Sequence, residues 1–217
     1  MNAAPIRKLT SGKFTLFAIV TIVTFTVMYN SPAQPYADYL MPINPVRPYE
    51  ESVERLLGNR WGHGTMIYSD LSGVTGQSFA ISAWGKDDGP KTLTYLKLDR
   101  EGDSAKVRNE LDVAIDDGFA GAIYDAWRAM LLKTRYPDKL VVSTGGWHAE
   151  FSASIQFAGG VYGECAPVKG FSKELMDFGF ALKDYCLAGK ENRKVKQDSL
   201  IPRLKDFTSR VEHSRLY

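Results

Sequence analysis

Between Gly64 and Asp99, three stretches of strand character follow one another too closely for a helix to cross between them. Gly64–Ser69 is rich in β-branched and aromatic residues. Gln77–Trp84 alternates, with Phe79, Ile81 and Ala83 on one face. Lys91–Asp99 alternates too, with Leu93 and Tyr95 opposite Leu96 and Leu98. Turn residues separate the three: Ser72-Gly73 and Gly76, then Asp87-Asp88-Gly89-Pro90. A parallel pair needs a crossover of a dozen or more residues, so these runs must form an antiparallel meander.

The period then changes. From Ser104 onward Leu111, Ile115, Phe119, Ile123, Trp127 and Met130-Leu131 recur at helical spacing, which predicts one long helix. Ser104 is its expected cap, Asp117-Gly118 a bend or break, and Tyr136-Pro137 its stop. A second β section follows. Lys139–Thr144 is a short apolar run, Gly145-Gly146 a turn, and His148–Ala158 alternates. In that last run Ala149, Phe151, Ala153, Ile155 and Phe157 face one way, and Glu150, Ser152, Ser154 and Gln156 the other. The expectation is a sheet with one buried and one wet face. Val161–Ala166 reads as an edge strand. Phe171–Leu187 is helical through Leu175, Phe178, Leu182 and Cys186, and the tail from Ser199 carries Leu204, Phe207 and Val211 in helical register. The order βββ-α-ββ(β)-α, with strands in runs, predicts an α+β fold with an antiparallel sheet and helices on one face. No internal repeat is present.

Ahead of this domain lies Phe14–Tyr29, sixteen residues without a charge, preceded by Arg7, Lys8 and Lys13. As a helix it is about 24 Å long, short of the ~30 Å hydrocarbon core. Lys13 can snorkel and the bilayer can adjust, so the segment reads as a single transmembrane anchor. The rival is a signal peptide cleaved near Ala33, where Ser31-Pro32-Ala33 supplies small residues. In either case the cations before the run and none until Arg47 keep the N-terminus in the cytoplasm and export the domain, on the periplasmic or extracytoplasmic side. The first 37 residues hold no acidic residue, so an organellar membrane is a further option. The divisions that follow are a cationic region over 1–13, the apolar helix over 14–29 and a spacer over 30–48. The spacer carries Pro32, Pro35, Pro42, Pro45 and Pro48. Then come the globular domain over 49–189, opening with a short helix Tyr49–Leu57 ended by Gly58, and a basic helical tail over 190–217. That tail has eight Lys or Arg against four Asp or Glu.

Composition allows one domain with a real core and argues against disorder. A net charge of +2 over the chain, on an exported domain, gives no footing for nucleic acid. Cys165 and Cys186 are the only cysteines, and an even pair in an oxidising compartment suggests a disulfide. Buried thiols are the plain alternative.

Chemistry is thinly signalled. His63 in Trp61-Gly62-His63-Gly64 and His148 in Gly146-Trp147-His148 would, with Glu150, make an acid–base or zinc site if their strands were neighbours. His148 and Glu150, two apart on a strand, share a face. No HExxH, CxxC, GxSxG, P-loop or GxGxxG pattern accompanies them, so no cofactor or metal is expected. Cys165 with His148 as base is a weaker idea, which a disulfide would abolish. Trp61, Trp84 and Trp147 fall at strand ends, where rim aromatics either cap a core or form a recognition surface. Trp84, Trp147 and His148 are the expected contacts for a partner. The leading expectation is a non-enzymatic, membrane-tethered or exported domain that binds a macromolecule, with protein the expected partner, as an accessory subunit, inhibitor or immunity-type protein. The alternatives are an envelope hydrolase using His148, Glu150 and His63, and a structural subunit docked through its C-terminal tail.

Overall fold

The computed structural model describes residues 40–43, 48–60, 62–70, 77–85, 89–135, 147–156, 159–165 and 170–214. The segment Phe14–Tyr29, Trp61, the run Lys139–Thr144 and most of the spacer lie outside the described residues, as does the side chain of Trp147. Among the described residues no helix is long and apolar enough to cross a membrane.

Among the described residues ten elements follow one another: α1 (Pro48–Leu57), β1 (Gly64–Asp70), β2 (Ser78–Gly85), β3 (Lys91–Glu101), β4 (Ser104–Ile115), α2 (Asp117–Leu131), β5 (Trp147–Ile155), β6 (Gly159–Cys165), α3 (Gly170–Leu187) and α4 (Lys190–His213). The α+β class and the antiparallel meander are as the sequence predicts. The six strands form one antiparallel sheet in the order β4-β3-β2-β1-β5-β6, so the second β section attaches beside β1.

The long helix predicted from Ser104 is instead a strand followed by a helix. Ser104 is no cap; it pairs with Glu101 across a two-residue loop, Gly102-Asp103, in which Gly102 takes φ 63°. Such a φ costs glycine nothing and most other residues a good deal. The helix starts twelve residues later, where Asp116 accepts a hydrogen bond from the Phe119 N–H at 2.8 Å. Asp117-Gly118 therefore marks a beginning and not a bend.

One face of the sheet carries the main core. Met66, Phe79, Ile81, Leu93, Val113 and Phe151 meet Trp127 of α2, Phe178 of α3 and Phe207 of α4. The Trp127 indole donates to the Thr65 carbonyl at 3.0 Å. The basic C-terminal segment is part of this core: α4 buries Leu200, Leu204, Phe207 and Val211 and leaves Val195 70% exposed. Its end is held by the Lys133 ammonium, which donates to the carbonyls of Val211 and Ser214.

The sequence predicts all helices on one face, and the structure places them on both. On the opposite face α1 packs Tyr49, Val53 and Leu57 against Ile67, Ala80, Leu96 and Leu98. Ser52 Oγ accepts from the Ala105 N–H at 2.6 Å and donates to the Tyr49 carbonyl, tying α1 to β4. That second face is consequently not wet where the alternation predicted it: Glu150 and Ser152 are 4% and 3% exposed. Only Ser154 and Gln156, past the covered region, reach solvent.

Packing also begins before the first helix. Leu40 is fully buried, and Met41 exchanges two backbone hydrogen bonds with Glu164 at the edge of β6, at 2.8 and 2.7 Å. A Cβ on Gly163 would lie 2.8 Å from that of Leu40, so glycine is what lets this segment seat so closely.

The two cysteines are free and buried. Cys165 ends β6, whereas the Cys186 sulfur lies 3.9 Å from the Leu93 carbonyl on β3. Those strands are four apart in the sheet, roughly 19 Å, which rules out the predicted disulfide between them.

Candidate functional site

A cleft of about 700 Å³ opens where strand ends meet the start of α2. Its floor comes from the entry to β1, with Gly62 and His63, and from the β2–β3 end, with Gly85 and Lys91. α2 contributes Asp117, Ala120, Gly121 and Tyr124, one side of its first two turns. The far wall is Ser154 and Gln156 at the end of β5. Topology alone brings these together: β5 inserts beside β1, and the Ser154 N–H donates to the Gly62 carbonyl at 3.0 Å.

At the floor the His63 N–H is committed as well, donating to the Ala83 carbonyl at 3.0 Å. Side chains complete the lining. The His63 ring stands edge-on to Tyr124, with centroids 5.9 Å apart and planes at 86°. Lys91 runs its stem across Gly85, where an added Cβ would come 2.6 Å from the lysine Cδ. A Cβ on Gly121 would meet nothing within 4 Å, so that helix position faces open cleft.

His63, His148 and Glu150 do not converge. His148 pairs with Ser69 and not with the start of β1, which places it six residues along that strand from His63, roughly 20 Å away. Among the described residues no group of three His, Cys, Asp or Glu side chains is arranged to hold a metal ion. His148 and Glu150 do share a face, the one covered by α1. There the His148 Nε2 lies 2.9 Å from Glu50 Oε1, with side chains 13% and 7% exposed, and Ser69 Oγ donates to the same carboxylate oxygen at 3.3 Å. His148 thus fastens α1 to the sheet. Acidic groups gather around it: Glu150 lies directly opposite Glu164 across β5–β6. Burial, then the charges of Glu51 and Glu50, push the Glu54 carboxyl above its usual range. Burial, then Glu54 and Glu150, does the same to the Tyr162 phenol.

Trp84 is half-buried, and its indole donates to Thr94 Oγ1 at 2.8 Å, which in turn donates to Asp112 at 2.5 Å. It is held flat on the second face as part of a polar row, Asp112–Thr94–Ser82–Thr65–Ser152, in register across five strands. Burial holds both thiols in their neutral form, raising Cys165 well above the ordinary thiol range and pushing Cys186 up to about 12. A thiol so raised is a poor nucleophile.

Of the cleft residues, only His63 is singled out by its sequence context. Ser154 and Gln156 sit on the polar parity of β5, a signal of exposure and not of a site. Lys91, Asp117 and Tyr124 carry no signal of a site, because the groups they face across the cleft come from distant parts of the sequence. No family model, no curated protein and no solved structure matches this chain.

Proposed function

We propose that this chain is a binding domain, carried to a membrane by its N-terminal apolar segment, that recognises a macromolecular partner outside the cytoplasm in the cleft beside α2. The observation that carries the reading is the convergence of His63, Lys91, Asp117, Tyr124, Ser154 and Gln156 on one open cavity of ligand-binding size. Lys91, Asp117, Tyr124 and Ser154 sit on strands and a helix, which fixes four of the six groups and limits the ordering that opposes binding. The direction of export rests on the cations before Phe14 and their scarcity after Tyr29. His148 serves the seating of α1 through Glu50.

The test fills the cleft without touching the core. Gly121→Phe places a ring in open space. Full-length chain carrying this change is crosslinked in native membranes and purified beside the unaltered chain. Loss of the co-purifying partner with a urea midpoint no lower than that of the unaltered chain supports the reading. A partner retained at the unaltered yield overturns it.

A further inference from the structure

The cleft's lining points to one chemical class of ligand. Among the described residues that line it, the two full charges, Lys91 and Asp117, are of opposite sign and together favour neither an anion nor a cation. Ala120 is the only aliphatic side chain among those described residues, so no branched aliphatic pocket is offered to a lipid chain. What remains is a balanced set of hydrogen-bonding groups: an ammonium that donates, a carboxylate that accepts, and Tyr124, Ser154 and Gln156, which do both. Two ring systems, His63 and Tyr124, meet edge to face at this wall. At the entry to β1 the Gly62 carbonyl and the His63 N–H are already bonded within the sheet, which reduces what the backbone there offers to a peptide.

We propose that the cleft binds a neutral, hydroxyl-rich unit, a saccharide, and that the macromolecule recognised is a glycan. Sugar hydroxyls pair with mixed donors and acceptors such as Asp117, Gln156 and Ser154, and a sugar's C–H face packs on an aromatic ring such as Tyr124. Glycine at 121 leaves room for a ring at the helix surface. This inference rests on the cleft being the partner site.

The experiment uses full-length chain in a detergent without a sugar headgroup. Saturation-transfer NMR and calorimetry are run with N,N′-diacetylchitobiose, cellobiose and maltose, and in parallel with triglycine and inorganic phosphate. Saturable binding of a saccharide is expected, weakened about ten-fold or more by Gly121→Phe and by Tyr124→Ala, with both variants folded by circular dichroism and cooperative in urea. Binding of triglycine or phosphate in place of every saccharide overturns the proposal, as does saccharide binding indifferent to Gly121→Phe, or none at all. If a crosslinked partner depends on Gly121 while no saccharide binds, the ligand class fails and the partner reading stands. If the partner is indifferent to Gly121→Phe, both fail.

Discussion

The C-terminal helix offers the sharpest test of the architecture, because its basic composition reads as a solvated tail while its side chains pack as core. Phe207 is fully buried and meets Phe178 and Phe171 edge to face, at centroid distances of 5.4 and 5.9 Å. Truncating a buried phenylalanine to alanine costs about 3–5 kcal/mol in lost transfer energy and cavity. Two aromatic pairs place this site toward the upper half of that range. With a urea dependence of about 2 kcal/mol per molar, Phe207→Ala should lower the unfolding midpoint by roughly 2 M. That is a large share of the ~5–15 kcal/mol that holds a domain together. The control sits on the same helix: Val195 is 70% exposed, and Val195→Ser should shift stability by no more than about 0.5 kcal/mol. Circular dichroism and tryptophan fluorescence followed through urea should give coincident curves for both variants. A Phe207→Ala loss below about 1 kcal/mol, comparable with Val195→Ser, would show that α4 is not part of the core.

Four further outcomes are expected. Gly121→Ala should raise stability by about 0.5–1 kcal/mol in urea unfolding, since the new methyl meets nothing and alanine favours helix; a loss would mean that the cleft is closed. Asp116→Ala should cost about 1 kcal/mol by removing the cap on Phe119 N–H, and Asp116→Asn should recover most of it. His148→Ala removes the histidine partner of a buried Glu50 carboxylate and should cost about 2–4 kcal/mol; unchanged stability would mean that α1 does not depend on that pair. The thiols should be inert to Ellman's reagent at pH 8 until the chain unfolds. Burial keeps Cys186 protonated up to about 12 and raises Cys165 further, whereas the unfolded thiols ionise near ~8.5, so the native state binds more protons above that pH. Stability therefore falls as pH rises above ~9, and buried Tyr49, Tyr95 and Tyr185, also raised by burial, add to the fall above ~10. Flat stability from pH 8 to 11 would refute this.

The meander was legible because it is local: alternation and turn residues alone dictate antiparallel neighbours. The strand β4 was not, for a specific reason. Its alternation is interrupted where the register shifts between Lys97 and Leu98, leaving Arg108 as the extra residue between Val107 and Asn109. Beyond the bulge Leu111 and Ile115 stand four apart, as does Phe119 from Ile115, so strand and helix share one apparent period. The Gly102-Asp103 turn was the overlooked signal. Glu150 and Ser152 look like a wet face in β5 taken alone, and only the seat of α1 on the second face of the sheet makes them buried. The cleft was hidden for the same kind of reason, since its six polar groups come from four separate places along the chain.

The seating of Leu40 has a mechanical consequence. Tension arriving along the chain from before Leu40 enters the fold at the edge of β6, through the Met41–Glu164 hydrogen-bond pair, the Arg135 N–H bond to the Leu40 carbonyl and the leucine side chain wedged over Gly163. Helix α1 and its contacts with Ile67 and Leu96 lie downstream of that anchorage. A pull therefore loads one short clasp before it can lift α1 from the sheet, and the clasp acts as a mechanical fuse ahead of the domain.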